Sequence, residues 1–226
     1  MRLAIDASRA TVERVTGTEH YARQLIHHLI LHNETLPAPH AITLYFRDVP
    51  DTDVFPDSPH VTQQVIPFPR MWTHLRFATA IWQSRPDVTF VPAHTLPLAF
   101  PGRAVVTVHD LGYKHFPDAH TASQVRYLDW STRHSAERAT RILADSEATS
   151  DDLQRFYNVP AEKITVVYPG VAPPHDTRDW SLFNKYTLPM SYFVFIGTLQ
   201  PRKNIERIVQ AFDRWQHANP DKEYGL

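Results

Sequence analysis

Eight short runs rich in β-branched and aromatic residues recur along this chain, at residues 3–6, 42–46, 61–66, 87–91, 104–108, 141–144, 164–168 and 192–196. Segments with helical spacing separate most of them. Several runs, Val105-Val106-Thr107-Val108 and Ile142-Leu143-Ala144 among them, do not alternate apolar with polar residues, as strands buried on both faces should not. Strands interleaved with helices in this way predict an α/β fold, a Rossmann-like parallel sheet with helices on both faces.

The helical segments carry their own start signals. Thr16 and Glu19 have capping-box spacing, and Ala22, Leu25, Ile26 and Leu29 come next on one face of residues 17–31. Residues 71–83 place Trp72, Leu75, Thr79 and Trp82 on one stripe, Thr121 and Gln124 open a helix over 121–139, and Ser146 is a good cap for 147–157. The best linker is Pro173-Pro174-His175-Asp176-Thr177-Arg178-Asp179, polar and broken by prolines. Beyond it the pattern holds one strand and one helix. Ile205, Ile208, Val209, Phe212 and Trp215 form an apolar stripe that needs a sheet to cover, and one strand is not a sheet. The expected organisation is therefore a first domain at 1–176, a linker at 177–189, and at 190–226 the first β-α unit of an incomplete second domain.

Composition narrows the function classes. With 226 residues, 42% of them hydrophobic and 21% charged, the chain can bury a full core. A formal charge of -1 gives no reason to expect a nucleic-acid partner, which usually meets a basic surplus. There is no cysteine, so disulfides and thiolate chemistry are out and a reduced compartment fits. Asp6 comes too soon after the first residues for a signal peptide, and the uncharged stretch 88–102 is broken by Pro92, Pro97 and Pro101. The expectation is a cytoplasmic protein.

Three constellations carry chemistry. In Gly197-Thr198-Leu199-Gln200-Pro201-Arg202-Lys203-Asn204 a strand turns into a helix whose first N–H groups attract anions, with two cations ahead of it. A diphosphate suits that place: Arg202 grips as a planar fork and Lys203 acts as a mobile point charge. Solvated loop charges are the alternative reading. In Val108-His109-Asp110 an imidazole and a carboxylate stand at the carboxyl end of a buried parallel strand, where open α/β sheets bind ligands. His109 there either meets a sugar hydroxyl or developing charge, or is simply held in a polar loop, while Asp110 orients the strand exit or caps the next turn. Third, the crossing from Asp6 ends at Thr16-Gly17-Thr18, where a glycine lets a ligand approach the backbone, or merely turns it. It is not a dinucleotide fingerprint, because no G-x-G-x-x-G is present.

Other patterns are weaker. His28 and His32 have zinc-binding spacing without an evident third ligand, and no G-x-S-x-G marks a hydrolase. The stretch Arg70-Met71-Trp72-Thr73-His74-Leu75-Arg76 either rests on an anionic membrane or contributes its Trp and Leu to the core.

In order, Ile5-Asp6-Ala7-Ser8-Arg9 with Thr16-Gly17, Pro86-Asp87-Val88, Thr107-Val108-His109-Asp110-Leu111, Ile142-Leu143-Ala144-Asp145-Ser146, Glu162-Lys163-Ile164, Val167-Tyr168-Pro169-Gly170-Val171 and Gly197-Thr198 with Pro201-Arg202-Lys203-Asn204 resemble family 4 glycosyltransferases of the GT-B fold. The resemblance implies a retaining transfer of a hexose from a nucleotide sugar to a saccharide or lipid-linked acceptor, with no metal or other cofactor. It implies that the first domain faces the acceptor and the second holds the donor. Gly17 and Thr18 would lie in a loop facing donor phosphates or acceptor, and His109, with Asp110 beside it, would touch the transferred sugar. Gly197, Arg202 and Lys203 would neutralise the leaving diphosphate. Pro169 stands where the family often has Asn, and the family's pair of donor-site glutamates has no counterpart in these 226 residues. The expectation is a truncated chain that is inactive alone, peripheral to the inner face of the membrane at most. Its alternatives are a non-catalytic interaction module, or half of a split enzyme, with a partner chain covering the stripe from Ile205 to Trp215. An unrelated oxidoreductase or epimerase is disfavoured by the missing glycine fingerprint.

Overall fold

Strands form where the β-rich runs lie; the central runs bury side chains against helices on the faces of a common sheet, whereas the edge runs at 61–65 and 164–166 stay partly or mostly exposed. In the computed structural model the strands are β1 (Arg2–Asp6), β2 (Ala41–Phe46), β3 (Val61–Val65), β4 (Val88–Val91), β5 (Arg103–Val108), β6 (Arg141–Ala144) and β7 (Ile164–Val166). The structure describes all residues except 13, 14, 51–53, 94, 172–180, 187, 188, 198, 200, 223 and 226, and the side chains of 182–184 and 202. The helices are α1 (Gly17–Glu34), α2 (Ala78–Ser84), α3 (Gly112–His115), α4 (Ala122–Arg138), α5 (Glu147–Tyr157), α6 (Ser181–Tyr186) and α7 (Ile205–Ala218).

The seven strands form one sheet in the order β3-β2-β1-β4-β5-β6-β7, and every pairing is parallel. The chain runs outward from β1 to β3, then returns to β4 on the other side of β1. That reversal makes the carboxyl ends of β1 and β4 the topological switch point, where folds of this class leave a crevice. Before β5 the chain turns at Gly102, whose φ of 74° and 3.0 Å approach of the Pro86 oxygen to any added Cβ make glycine the residue that fits.

Two cores flank the sheet. On one face Ile26 and Ile30 of α1 pack against Ile5, Ile42, Leu44, Phe46 and Phe90. On the other, Phe77, Ile81, Ala136, Leu153 and Tyr157 pack against Ala4, Val91, Val106, Val108 and Ile142. Val105 and Leu143 sit at the rim of the α1 core and are only half-buried, so β5 and β6 are fully covered on one face and partly on the other.

Three expectations are corrected. The stripe Trp72, Leu75, Thr79 and Trp82 does not form, because a π-turn over Thr73–Phe77, with the Phe77 N–H donating to the Trp72 oxygen at 2.9 Å, inserts one residue and rotates the rest of the helix. Trp72, Phe77, Ala78 and Ile81 turn inward instead, and Leu75 and Trp82 stay exposed. In α1 the buried positions include Ala22, Ile26, Ile30 and Asn33, while Leu29 faces outward. The strand expected at 192–196 is reduced to a single parallel bridge between Tyr192 and Gly225, because a ladder forms only as far as a neighbour runs beside it.

The chain divides into two compact units, Met1–His115 with Ala122–Pro169, and Phe116–Thr121 with Gly170–Leu226. The sheet is the first. In the second, the Phe193 N–H donates to Gly225 and the Gly225 N–H to Ser191, and Phe193, Phe212, Trp215 and Tyr224 gather ring against ring beside α7. Helix α6 falls inside the segment expected as linker, and the proline-rich stretch 173–179 lies outside the described residues.

Candidate functional site

The first residues past β4, β5 and β6 meet at the carboxyl edge of the sheet. β5 and β6 pair with Val108 opposite Ala144, so the next residues, His109 and Asp145, emerge side by side. The His109 Nδ1 stands 2.6 Å from Asp145 Oδ2, and its Nε2 stands 3.1 Å from the carbonyl oxygen of Pro92 at the end of β4. The two side chains are 12% and 17% exposed, so solvent competes little for the pair.

Tyr21 of α1 meets the His109 ring edge-on at 4.8 Å between centroids. Its hydroxyl lies 3.4 Å from Thr107 Oγ1, and burial pushes that phenol above its ordinary range. From α5, Thr149 donates its hydroxyl to the His109 carbonyl at 3.0 Å, while Ser146 caps the helix by accepting the Thr149 N–H at 3.2 Å. Four elements thus fix His109, three at its ring and α5 at its backbone carbonyl.

Asp6 ends β1 almost fully buried and accepts both the N–H and the hydroxyl of Ser8, at 3.0 and 2.6 Å. Burial raises its carboxyl above the usual range, and the Ser8 donors offset only part of that. At the start of α1 the Glu19 carboxylate accepts the Thr16 N–H at 3.1 Å and the Thr16 hydroxyl, and Arg9 lies 3.4 Å away. Burial alone would raise the Glu19 carboxyl, yet these partners outweigh it and hold it low. The capping spacing read in the sequence is therefore realised, and it sets the start of the helix that carries Tyr21 to the His109 ring.

Asp110 is exposed and accepts the Gly112 N–H at 2.8 Å, which caps the short helix α3 after the strand. Gly17 opens α1 with nothing within 4 Å of a Cβ placed on it, and Thr18 beside it is half-buried. Gly197, Arg202 and Lys203 belong to the second unit. Pro201–Lys203 make a 3-10 turn into α7, Asn204 at that junction has φ of 53°, and Lys203 is exposed. The Arg202 side chain and Thr198 lie outside the described residues. Among the described residues no group of three or more His, Asp or Glu side chains is placed to hold a metal, and no helix is long and apolar enough to cross a membrane.

Asp145, Tyr21 and Pro92 are the neighbours that sequence reasoning missed. For Asp145 a signal existed: two apolar runs that each end on a polar residue, and that lie on adjacent parallel strands, bring those residues together.

The profile of Glycosyltransferase Family 4 matches residues 15–173. O-antigen chain mannosyltransferase B of Escherichia coli is 32% identical over 115 residues, which are 49% of this chain and 30% of that protein. O-antigen chain mannosyltransferase RfbU of Salmonella typhimurium is 30% identical over 125 residues, 55% of this chain and 32% of that one. In solved structures the fold recurs in sucrose-phosphate synthase from Thermosynechococcus elongatus, with TM-score 0.65 and 18% identity over 94% of this chain and 59% of that one. It recurs also in Anabaena HepE, solved with UDP and glucose, with TM-score 0.51 and 12% identity over 87% and 53%. The matched stretches span about a third of the two curated relatives' length.

Proposed function

The chain belongs to glycosyltransferase family 4, and on that premise we propose that it provides the acceptor-side domain of a retaining hexosyltransferase. The donor is a nucleotide sugar and the acceptor a saccharide or a lipid-linked saccharide. The names of the two curated relatives favour mannose as the sugar. The observation that carries this reading is His109, fixed by four elements at the carboxyl end of β5, beside the switch point of the sheet.

In this reading His109 and the adjacent Asp110 line the place of the transferred sugar, and Gly17 and Thr18 belong to the loop that faces donor phosphates or acceptor. Departure of a nucleoside diphosphate leaves negative charge that must be stabilised. The turn at Gly197 and the cations Arg202 and Lys203 supply that at the start of α7, in place of a metal ion. The enzyme works in the cytoplasm. Trp72 is turned inward, its indole N–H donating to the Ile66 oxygen at 2.8 Å, while Met71 and Leu75 stay exposed beside Arg70 and Arg76. Apolar side chains flanked by arginines support a peripheral contact with an anionic bilayer surface.

The 226-residue chain by itself is expected to transfer no sugar, and measurable transfer from GDP-mannose or another nucleotide sugar by the purified chain would overturn that. In a protein carrying a complete donor domain, His109→Ala and Arg202→Ala should each lower kcat by about 100-fold, the usual cost of removing one electrostatic contact from a transition state. Transfer at the parent rate by both variants refutes the site assignment.

A further inference from the structure

His109 faces an oxygen at each ring nitrogen: a carboxylate oxygen of Asp145 at 2.6 Å from Nδ1, and the Pro92 carbonyl oxygen at 3.1 Å from Nε2. A carbonyl only accepts, so Nε2 must carry a proton to use it. A neutral imidazole has one N–H in all. With Nε2 protonated, Nδ1 would then turn its lone pair on the carboxylate, two acceptors at 2.6 Å. The contact closes only with a proton between them, and an imidazole is a far stronger base than a carboxylate, so that proton belongs on the ring.

We propose that Asp145 is a positioning residue that holds His109 as a built-in imidazolium, with both ring nitrogens already engaged. Three observations support it. A charge-assisted N–H···O contact is shorter than a neutral one, and the 2.6 Å between Nδ1 and Oδ2 is short for a nitrogen donor. Asp145 is mostly buried, and its other oxygen, Oδ1, has no partner among the described residues, so a cation beside it compensates a carboxylate that would otherwise be costly to bury. The titratable groups packed against the ring include Tyr21 from α1 and Asp145 at the end of β6, and neither is a cation that would oppose a charged ring. α5 presents the Thr149 hydroxyl to the His109 carbonyl, and the end of β4 presents the Pro92 carbonyl.

The functional consequence rests on the transfer reading, whereas the protonation state does not. A ring occupied at both nitrogens has no lone pair for an acceptor hydroxyl, so His109 is not a general base. The ion pair is neutral overall and does not oppose positive charge growing on a sugar ring, while its N–H groups stay fixed.

Long-range 15N–1H correlation spectra of the 15N-labelled 226-residue chain test this, with His109 assigned by loss of its signals in His109→Gln. At pH 7.5 both His109 nitrogens should resonate as protonated. In Asp145→Asn one should become unprotonated, and Asp145→Glu should restore the pair. A bare ring nitrogen in the parent chain at pH 7.5 overturns the proposal, as does an Asp145→Asn ring that keeps both protons. The parent spectrum, once His109 is assigned, decides even if the Asp145 variants fold poorly. A merely structural Asp145 would shift the melting temperature without altering the nitrogen pattern. Unchanged transfer by His109→Ala with a complete donor domain would defeat the transfer reading and leave this result untouched.

Discussion

Tyr157 offers the sharpest test of what locks α3, α4 and α5 together on the sheet. Its hydroxyl donates to Asp129 Oδ1 at 2.8 Å and meets the Tyr113 hydroxyl at 2.7 Å, and Lys114 pairs with the same Asp129 oxygen. Arg133 lies over its ring at 5.0 Å, and burial together with the Tyr113 and Asp129 contacts pushes the phenol far above its ordinary range. Tyr157→Phe keeps the ring and removes the bridge. A hydrogen bond to a charged group contributes about 1.5–3 kcal/mol. Asp129 keeps Lys114, however, and its side chain is 33% exposed. Solvent screening then discounts the loss to about 1 kcal/mol. The Tyr113 hydroxyl, in a residue 3% exposed, is left without that partner. Stranding a buried hydroxyl costs about 1–2 kcal/mol, which brings the whole effect to about 2–3 kcal/mol. Removing both hydroxyls strands neither, so Tyr113→Phe/Tyr157→Phe should cost about 1 kcal/mol less than the sum of the single changes. Hydrogen exchange read by mass spectrometry on peptides from β4 and β5, across a urea series, measures this in the first unit alone. A Tyr157→Phe cost below about 0.5 kcal/mol, or strict additivity, would refute the reasoning. The pH dependence adds a second check. Burial raises the Asp129 carboxyl, but hydrogen bonds from Lys114 and Tyr157 outweigh it and hold it below the ordinary range. A depressed folded-state pKa stabilises above the unfolded value and loses that stabilisation as pH falls through the folded one, so the difference between parent and variant should shrink below about pH 4.

Two further outcomes follow from packing. Phe77 is fully buried, stacked on Trp72 at 5.1 Å and edge-on to Tyr45 at 5.4 Å. Phe77→Ala should therefore cost about 3–5 kcal/mol by the same exchange measurement, and a cost under about 2 kcal/mol would refute its place in the core. Gly17→Ala meets nothing within 4 Å of the new Cβ. It should leave stability unchanged or raise it by up to about 1 kcal/mol. A fall in transfer by that variant, in a protein with a complete donor domain, would then report a ligand at the loop; a fall in thermal stability would refute the steric argument.

The sheet was legible because its runs are β-rich, mostly apolar and for the most part spaced by helices, and seven of eight expected strands formed within a few residues of their expected bounds. The eighth, at 192–196, has the right composition, but pairing belongs to neighbours rather than to composition. The π-turn at Thr73–Phe77 escaped for a related reason: nothing in Trp72-Thr73-His74-Leu75-Arg76-Phe77 favours one extra residue per turn, and it is Phe77 and Ile81 seeking the core that select it. His109 was legible from its place after a buried strand. Its setting was not, because Asp145, Tyr21 and Pro92 are brought to it by register and crossover, which one strand's sequence does not contain.

The strand order has a consequence for synthesis. β1 lies inside the sheet, between β2 and β4, and the Arg2 N–H is tied to Asp87 across 85 residues of chain. As the polypeptide leaves the ribosome, β1, α1 and β2 can associate early, but one edge of β1 stays unpaired until β4 emerges. An open parallel edge is a template for misplaced pairing. The nascent chain is therefore most exposed to aggregation between the completion of β2 and the arrival of β4, and a chaperone acting on it has most to protect in that interval.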